Sequence, residues 1–226
     1  MKTQQSPSNH LARFTPGAYY HIYNRSHNRS PLFRTEDDLH AFLSKYKMYL
    51  GDYVDTYAWC LMESHFHFCI RVKPADVITE AVLELPEFER TAAQHLFLEA
   101  LEADRDYHSV VERQFIRLFA GYTSAFNQQY GRSGNLFHQP FQRMEIADKK
   151  HLPWLMYYIH TDVVRQGGWP DFTEYPWSSY PLYALKKPTY LRKKEALEWF
   201  GGLEKFVEFH EQERMPEELA FLKMEE

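Results

Sequence analysis

Residues 54–72, VDTYAWCLMESHFHFCIRV, decide the fold. Two runs rich in aromatic and apolar residues, 54–62 and 65–72, flank Glu63-Ser64, and that spacing predicts a β-hairpin with a tight turn. Alternate side chains of a strand share a face. Phe66, Phe68, Ile70 and Val72 therefore point into a core, while His65, His67, Cys69 and Arg71 point to the opposite, wetter face. The two imidazoles lie about 6–7 Å apart at the backbone, close enough to converge on one cation. On this pair alone, packing beneath a helix and chelation of a metal both stay open, because two imidazoles leave a metal site short of ligands.

Outward from the hairpin, AYYHIYNR (18–25) is aromatic and β-branched enough for a strand, and turn-prone SHNRSP follows. Thr35 and the acidic residues after it mark a helix start, with Leu39, Phe42, Leu43 and Tyr46 as its apolar stripe. Residues 74–112 read as an acidic, Pro-interrupted, mostly helical insertion. Phe115, Leu118, Phe119, Tyr122 and Phe126 then recur at helical spacing up to a stop at Gly131. A strand is expected around LFHQPFQRMEI (136–146), followed by a helix in KKHLPWLMYYIHTDVVRQGG (149–168), with Pro153 in its first turn and Gly167 ending it. The order β-α-β-β-α-β-α predicts an α+β fold, a ferredoxin-like antiparallel-rich sheet with helices packed on it. One domain over 1–226 is expected, with a core at about 18–183 and a helical C-terminal extension at 184–226.

Hydrophobic residues make up 44% of the 226 and aromatics 17%, which excludes a disordered, highly charged chain. Cys60 and Cys69 both sit in strand-like runs and form no spaced disulfide framework, and the polar N-terminus has no apolar signal core. A reduced, cytoplasmic setting is expected. The net charge of −5 argues against broad affinity for nucleic acid. Its distribution qualifies that: residues 74–112 hold ten Asp or Glu and two Arg, so the rest of the chain is slightly basic. Asn24, Arg25 and Arg29 after the first strand, with Arg132 and Arg143, are candidates to hold phosphates or a nucleic-acid hairpin.

In the helix of residues 151–166, Tyr158 and Asp162 are four apart, which sets a phenol and a carboxylate one turn apart on one face. Asp162 could complete a His-His-carboxylate site for a hard cation, Mg²⁺ or Mn²⁺, with Tyr158 beside it. Read alone, YYIHTDVV also fits an ordinary amphipathic helix. Tyr157 is the adjacent phenol, but it points about 100° away and has no acidic residue four positions on.

The succession YYHIYNRSHNRSPLF, WCLMESHFHFCI, FAGYTSAFNQQYGRSGNLFHQPF, WLMYYIHTDVVRQGGWP and YPWSSY, over about residues 18–183, resembles the REP-associated tyrosine transposases, a branch of the single-tyrosine HUH transposases. By that resemblance His65 and His67 are the HUH histidines. Tyr158 in YIHTDVVRQG is the nucleophile, and Asp162 takes the place of a polar metal ligand. The chain departs from the pattern in two places: Asp162-Val163 stands for the usual Asn-Pro, and Glu63-Ser64 for a frequent Pro-Asn. The resemblance implies a protein, monomer or homodimer, that binds structured, hairpin-containing single-stranded DNA. It would cleave and rejoin the strand by metal-assisted transesterification through a 5′-phosphotyrosine. The rival expectation is a domesticated relative that binds a DNA or RNA hairpin without cutting it. A small zinc hydrolase is disfavoured by the lack of an HExxH or comparable general-base motif.

Overall fold

A computed structural model describes residues 10–27, 30–185, 188–212 and 215–222. The hairpin is present as β2 (Val54–Met62) and β3 (His65–Val72), antiparallel, with β1 (Tyr19–Arg25) on the far side of β3 and β4 (Gln142–Glu145) beyond β1. The strand order is β2-β3-β1-β4, all neighbours antiparallel, as a ferredoxin-like βαββαβ arrangement requires. The helices of that pattern are α1 (Glu36–Leu50) and α4 (Tyr107–Tyr130). Between β3 and α4 the chain adds α2 (Ala75–Glu84) and α3 (Ala92–Glu99). After β4 come α5 (Leu152–Arg165), the short α6 (Tyr180–Ala184), α7 (Lys193–Phe200) and α8 (Leu203–Gln212).

Local chemistry sets the helix ends. Thr35 caps α1 through its hydroxyl, and Asp38 returns the favour to the Thr35 backbone N–H, so two orphan donors are satisfied at once. Gly131 closes α4 in the left-handed region at φ 60°. Pro153 sits in the first turn of α5, where a missing N–H costs no helical hydrogen bond.

The Phe face of the sheet meets α1 and α4. Tyr46 stacks on Phe68 with ring centroids 4.3 Å apart, Phe42 lies 5.2 Å from Phe66, and Phe119 lies 5.8 Å from Phe66. The opposite face is not wet: α5 lies across β2 and β3, and along β3 only Arg71 is more than slightly exposed. A sheet buried on both faces has near-continuous apolar strands rather than alternation, which is why VDTYAWCLM carries almost no polar residue.

The last strand is shorter than expected, four residues in place of eleven. Phe137 makes only an isolated bridge to Ser26, and Pro140, which has no N–H to give a ladder, breaks the run. Beyond β2, the 177–179 segment covers the sheet edge: Leu61 N–H donates to Trp177 O, and Ser179 N–H to Trp59 O.

Candidate metal and tyrosine centre

His65 and His67 leave β3 toward α5, and α5 presents Asp162 and Tyr158 to them. Asp162 Oδ2 lies 3.1 Å from His65 Nε2 and 3.3 Å from His67 Nε2. All three side chains are buried, and among the described residues they form the one group of His, Cys, Asp and Glu whose ligand atoms converge, all within 4.8 Å. The ring of Tyr158 meets His67 edge-on at 5.3 Å and is 1% exposed. The strand alternation and the i, i+4 helix spacing thus converge on one small volume.

The donor set fits a divalent cation. His67 Nε2 is buried and makes no hydrogen bond, since Asp162 Oδ2 stands near it but outside hydrogen-bonding geometry. Burial holds the His67 pKa below the ordinary imidazole value despite Asp162 beside it, so the ring is held in its neutral, metal-ligating form. Burial alone would raise the pKa of Asp162, but the hydrogen bond from His65, the close approach of the His67 imidazole and the charge of Arg165 outweigh it and hold the carboxyl well below the usual range. An ionised carboxylate oxygen flanked by two imidazoles suits a hard or borderline cation.

Two further residues complete the surroundings. Arg165, three positions after Asp162, hydrogen-bonds Asp162 Oδ1, leaving Oδ2 turned toward the histidines. The Arg165 guanidinium also lies over the Tyr158 ring, 4.3 Å from its centroid. His21 on β1 places Nε2 2.9 Å from His67 Nδ1, and both residues are fully buried. Sequence reasoning passed over both. The i, i+3 spacing from Asp162 could have revealed Arg165. His21 depends on how β1 and β3 register, which local spacing does not contain.

The candidate phosphate ligands are dispersed. Arg25 is exposed at the end of β1, on the histidine face, opposite His65 in the ladder. Asn24 points to the other face and is 3% exposed, its amide donating to His138 O. Arg143 also lies on the other face, 7% exposed, paired with Glu112 at 2.8 Å and bonded to Ala12 O. Arg143 is thereby tied to α4 through Glu112, and Asn24 to the segment before β4 through His138. Arg132 is half-buried and engaged with Asn127 and the Asn135 carbonyl. Arg29 lies outside the described residues. Tyr157 turns away from the centre and packs among Trp154, Phe209 and His210. The two cysteines are free and buried, and no described helix is long and apolar enough to cross a membrane.

No protein-family model matches this sequence, and no curated protein matches it. Among solved structures the chain is similar to a REP-associated tyrosine transposase bound to a REP hairpin, with a TM-score of 0.51 and 16% identity, over 80% of this chain and 88% of that one. The four-stranded antiparallel sheet and its helices therefore have the fold of a REP-associated tyrosine transposase.

Proposed function

We propose that this protein binds structured, hairpin-containing single-stranded DNA and cleaves and rejoins it through Tyr158. The observation that carries the reading is the convergence of His65, His67 and Asp162 from β3 and α5 beside the ring of Tyr158. In the cleavage step the Tyr158 oxygen attacks a backbone phosphorus and loses its proton. A new Oη–P bond forms, the P–O3′ bond breaks, and the departing 3′-oxygen takes up a proton. The strand is left with a free 3′-hydroxyl and a 5′-phosphate joined to the tyrosine. Because one phosphodiester replaces another, a second 3′-hydroxyl can reverse the step and join strands without an energy source. His65, His67 and Asp162 would hold Mg²⁺ or Mn²⁺, which when bound polarises the scissile phosphate and offsets charge on its oxygens. Arg165 keeps the Asp162 carboxylate oriented, and its guanidinium must turn off the Tyr158 ring for a phosphate to approach. Arg25, exposed and across the ladder from His65, would meet the strand's backbone.

The test is incubation with end-labelled hairpin strands and Mn²⁺, followed by denaturing electrophoresis. A labelled protein adduct should form with the wild type and vanish in Tyr158→Phe. An adduct that survives in Tyr158→Phe removes Tyr158 from the role. The burial of Tyr158 under Arg165 favours one second reading, a protein that holds the hairpin without cutting it. Binding without any adduct, over a range of hairpins, would establish that reading instead.

A further inference from the structure

We propose that His21 is a positioning residue for the His65–His67–Asp162 centre, accepting a hydrogen bond at Nε2 from His67 Nδ1–H so that His67 Nε2 is left as a lone pair for a cation. The proposal rests on the metal reading above.

The geometry is specific. His21 and His67 lie on the same face of adjacent strands, diagonal to each other by two residues: His21 is opposite Cys69, and Tyr23 is opposite His67. Their rings stack at 5.1 Å with 29° between planes, and Nε2 of one stands 2.9 Å from Nδ1 of the other. Both are fully buried, so neither nitrogen of this contact can turn to water. A neutral imidazole carries one proton. If His67 Nε2 binds a cation, that proton must sit on Nδ1, and the acceptor within reach there is His21 Nε2. Metal-bound histidines are usually held in this way by a carboxylate or a carbonyl. Here a third imidazole takes that place, and the edge of Tyr158 seals the pair at 5.7 Å from His21 and 5.3 Å from His67. His21 therefore fixes both the tautomer and the ring angle of a ligand it reaches from another strand, without facing the cation itself.

Mn²⁺ titration by calorimetry separates the possibilities. His21→Met fills the buried space but offers only a weakly accepting thioether, and it should bind Mn²⁺ roughly 10- to 100-fold more weakly than wild type. His21→Gln restores an acceptor near the position of Nε2 and should recover most of the loss. Wild-type affinity in a folded His21→Met, or equal losses in Met and Gln, would overturn the positioning role while leaving the metal centre standing. A wild type that binds no Mn²⁺ would instead overturn the metal reading, and this role with it. A second measurement needs no variant: nitrogen-15 spectra of the Mg²⁺-loaded protein should show His67 protonated at Nδ1, and a proton on Nε2 would refute the assignment.

Discussion

A carboxylate buried between two imidazoles and a guanidinium is a strong local constraint, and Asp162 lets the contributions of charge and ligation be separated. Asp162→Ala removes the oxygen that faces His65 and His67. Asp162→Asn keeps an oxygen but gives up the charge that pairs with Arg165. Mn²⁺ binding should be lost in the alanine variant and weakened but measurable in the asparagine variant, because amide oxygens also ligate hard cations. An alanine variant that titrates like the wild type would remove Asp162 from the centre. At this scale the sequence was legible wherever one periodicity sufficed: period two for His65 and His67, a four-residue step for Tyr158 and Asp162. The same period-two rule, extended along β1, puts Asn24 on the face opposite His21 and Tyr23. Alternation therefore says that Asn24 and Arg25 cannot both face the centre, while the register of β1 on β3 decides which of them does. His21 was not legible, because nothing in AYYHIYNR says which residue of another strand it will meet.

The helix that carries Tyr158 and Asp162 is held from behind by the C-terminal helices. His160 on α5 contacts His210 of α8 at 2.9 Å through Nδ1 and Ser179 at 2.8 Å through Nε2, and His210 reaches the Phe206 carbonyl at 2.8 Å. Burial pushes the His210 pKa down to about 4, while the same side chain in the unfolded chain titrates near 6.5. Between those values the unfolded chain binds a proton that the folded chain refuses. The stability is thus fully present above about pH 6.5 and falls as the pH drops toward 4, by about 1.4 kcal/mol per pH unit for one proton. Burial also lowers the pKa of His160 and His67, so urea melts at pH 7, 6 and 5 should show at least that slope, and His210→Gln should flatten it by one proton. Parallel pH profiles for the two proteins would mean His210 does not carry the effect. The elements themselves were largely foreseeable, since α1, α4 and α5 all carry caps or stop signals next to clear apolar stripes. One such signal gives a stability prediction: Gly131→Ala forces a Cβ into the left-handed region and should cost about 1–2 kcal/mol in a urea melt. A smaller loss would mean the end of α4 relaxes. What the local signals could not convey was the burial of the histidine face, because that depends on α5 returning across the sheet.

Across the whole molecule, the acidic segment 74–112 and the candidate centre are attached to opposite sides of the sheet. The strongly acidic segment 74–112 joins the body through α3 on α4, in the layer over the Phe face, whereas His65, His67 and Asp162 lie under α5 on the other face. A net charge of −5 therefore does not describe the surface that a nucleic-acid strand would meet. On the proposed function, the acidic segment would act on such a strand through its long-range field, and salt sets the range of that field. The Debye length is about 30 Å at 0.01 M ionic strength and about 8 Å at 0.15 M. Glu87, Glu89, Glu99 and Glu102 are exposed, so changing all four to Gln should leave the melting temperature nearly unaltered. In about 0.01 M salt the quadruple variant should associate with a hairpin strand several-fold faster than wild type, because like-charge repulsion of the incoming phosphates is relieved. In 0.15 M salt the two should become indistinguishable. Stopped-flow fluorescence at both ionic strengths checks this. A rate advantage that persists undiminished in 0.15 M salt would place the acidic segment within a few ångströms of the bound strand, and the separation of the two layers would then not govern DNA access.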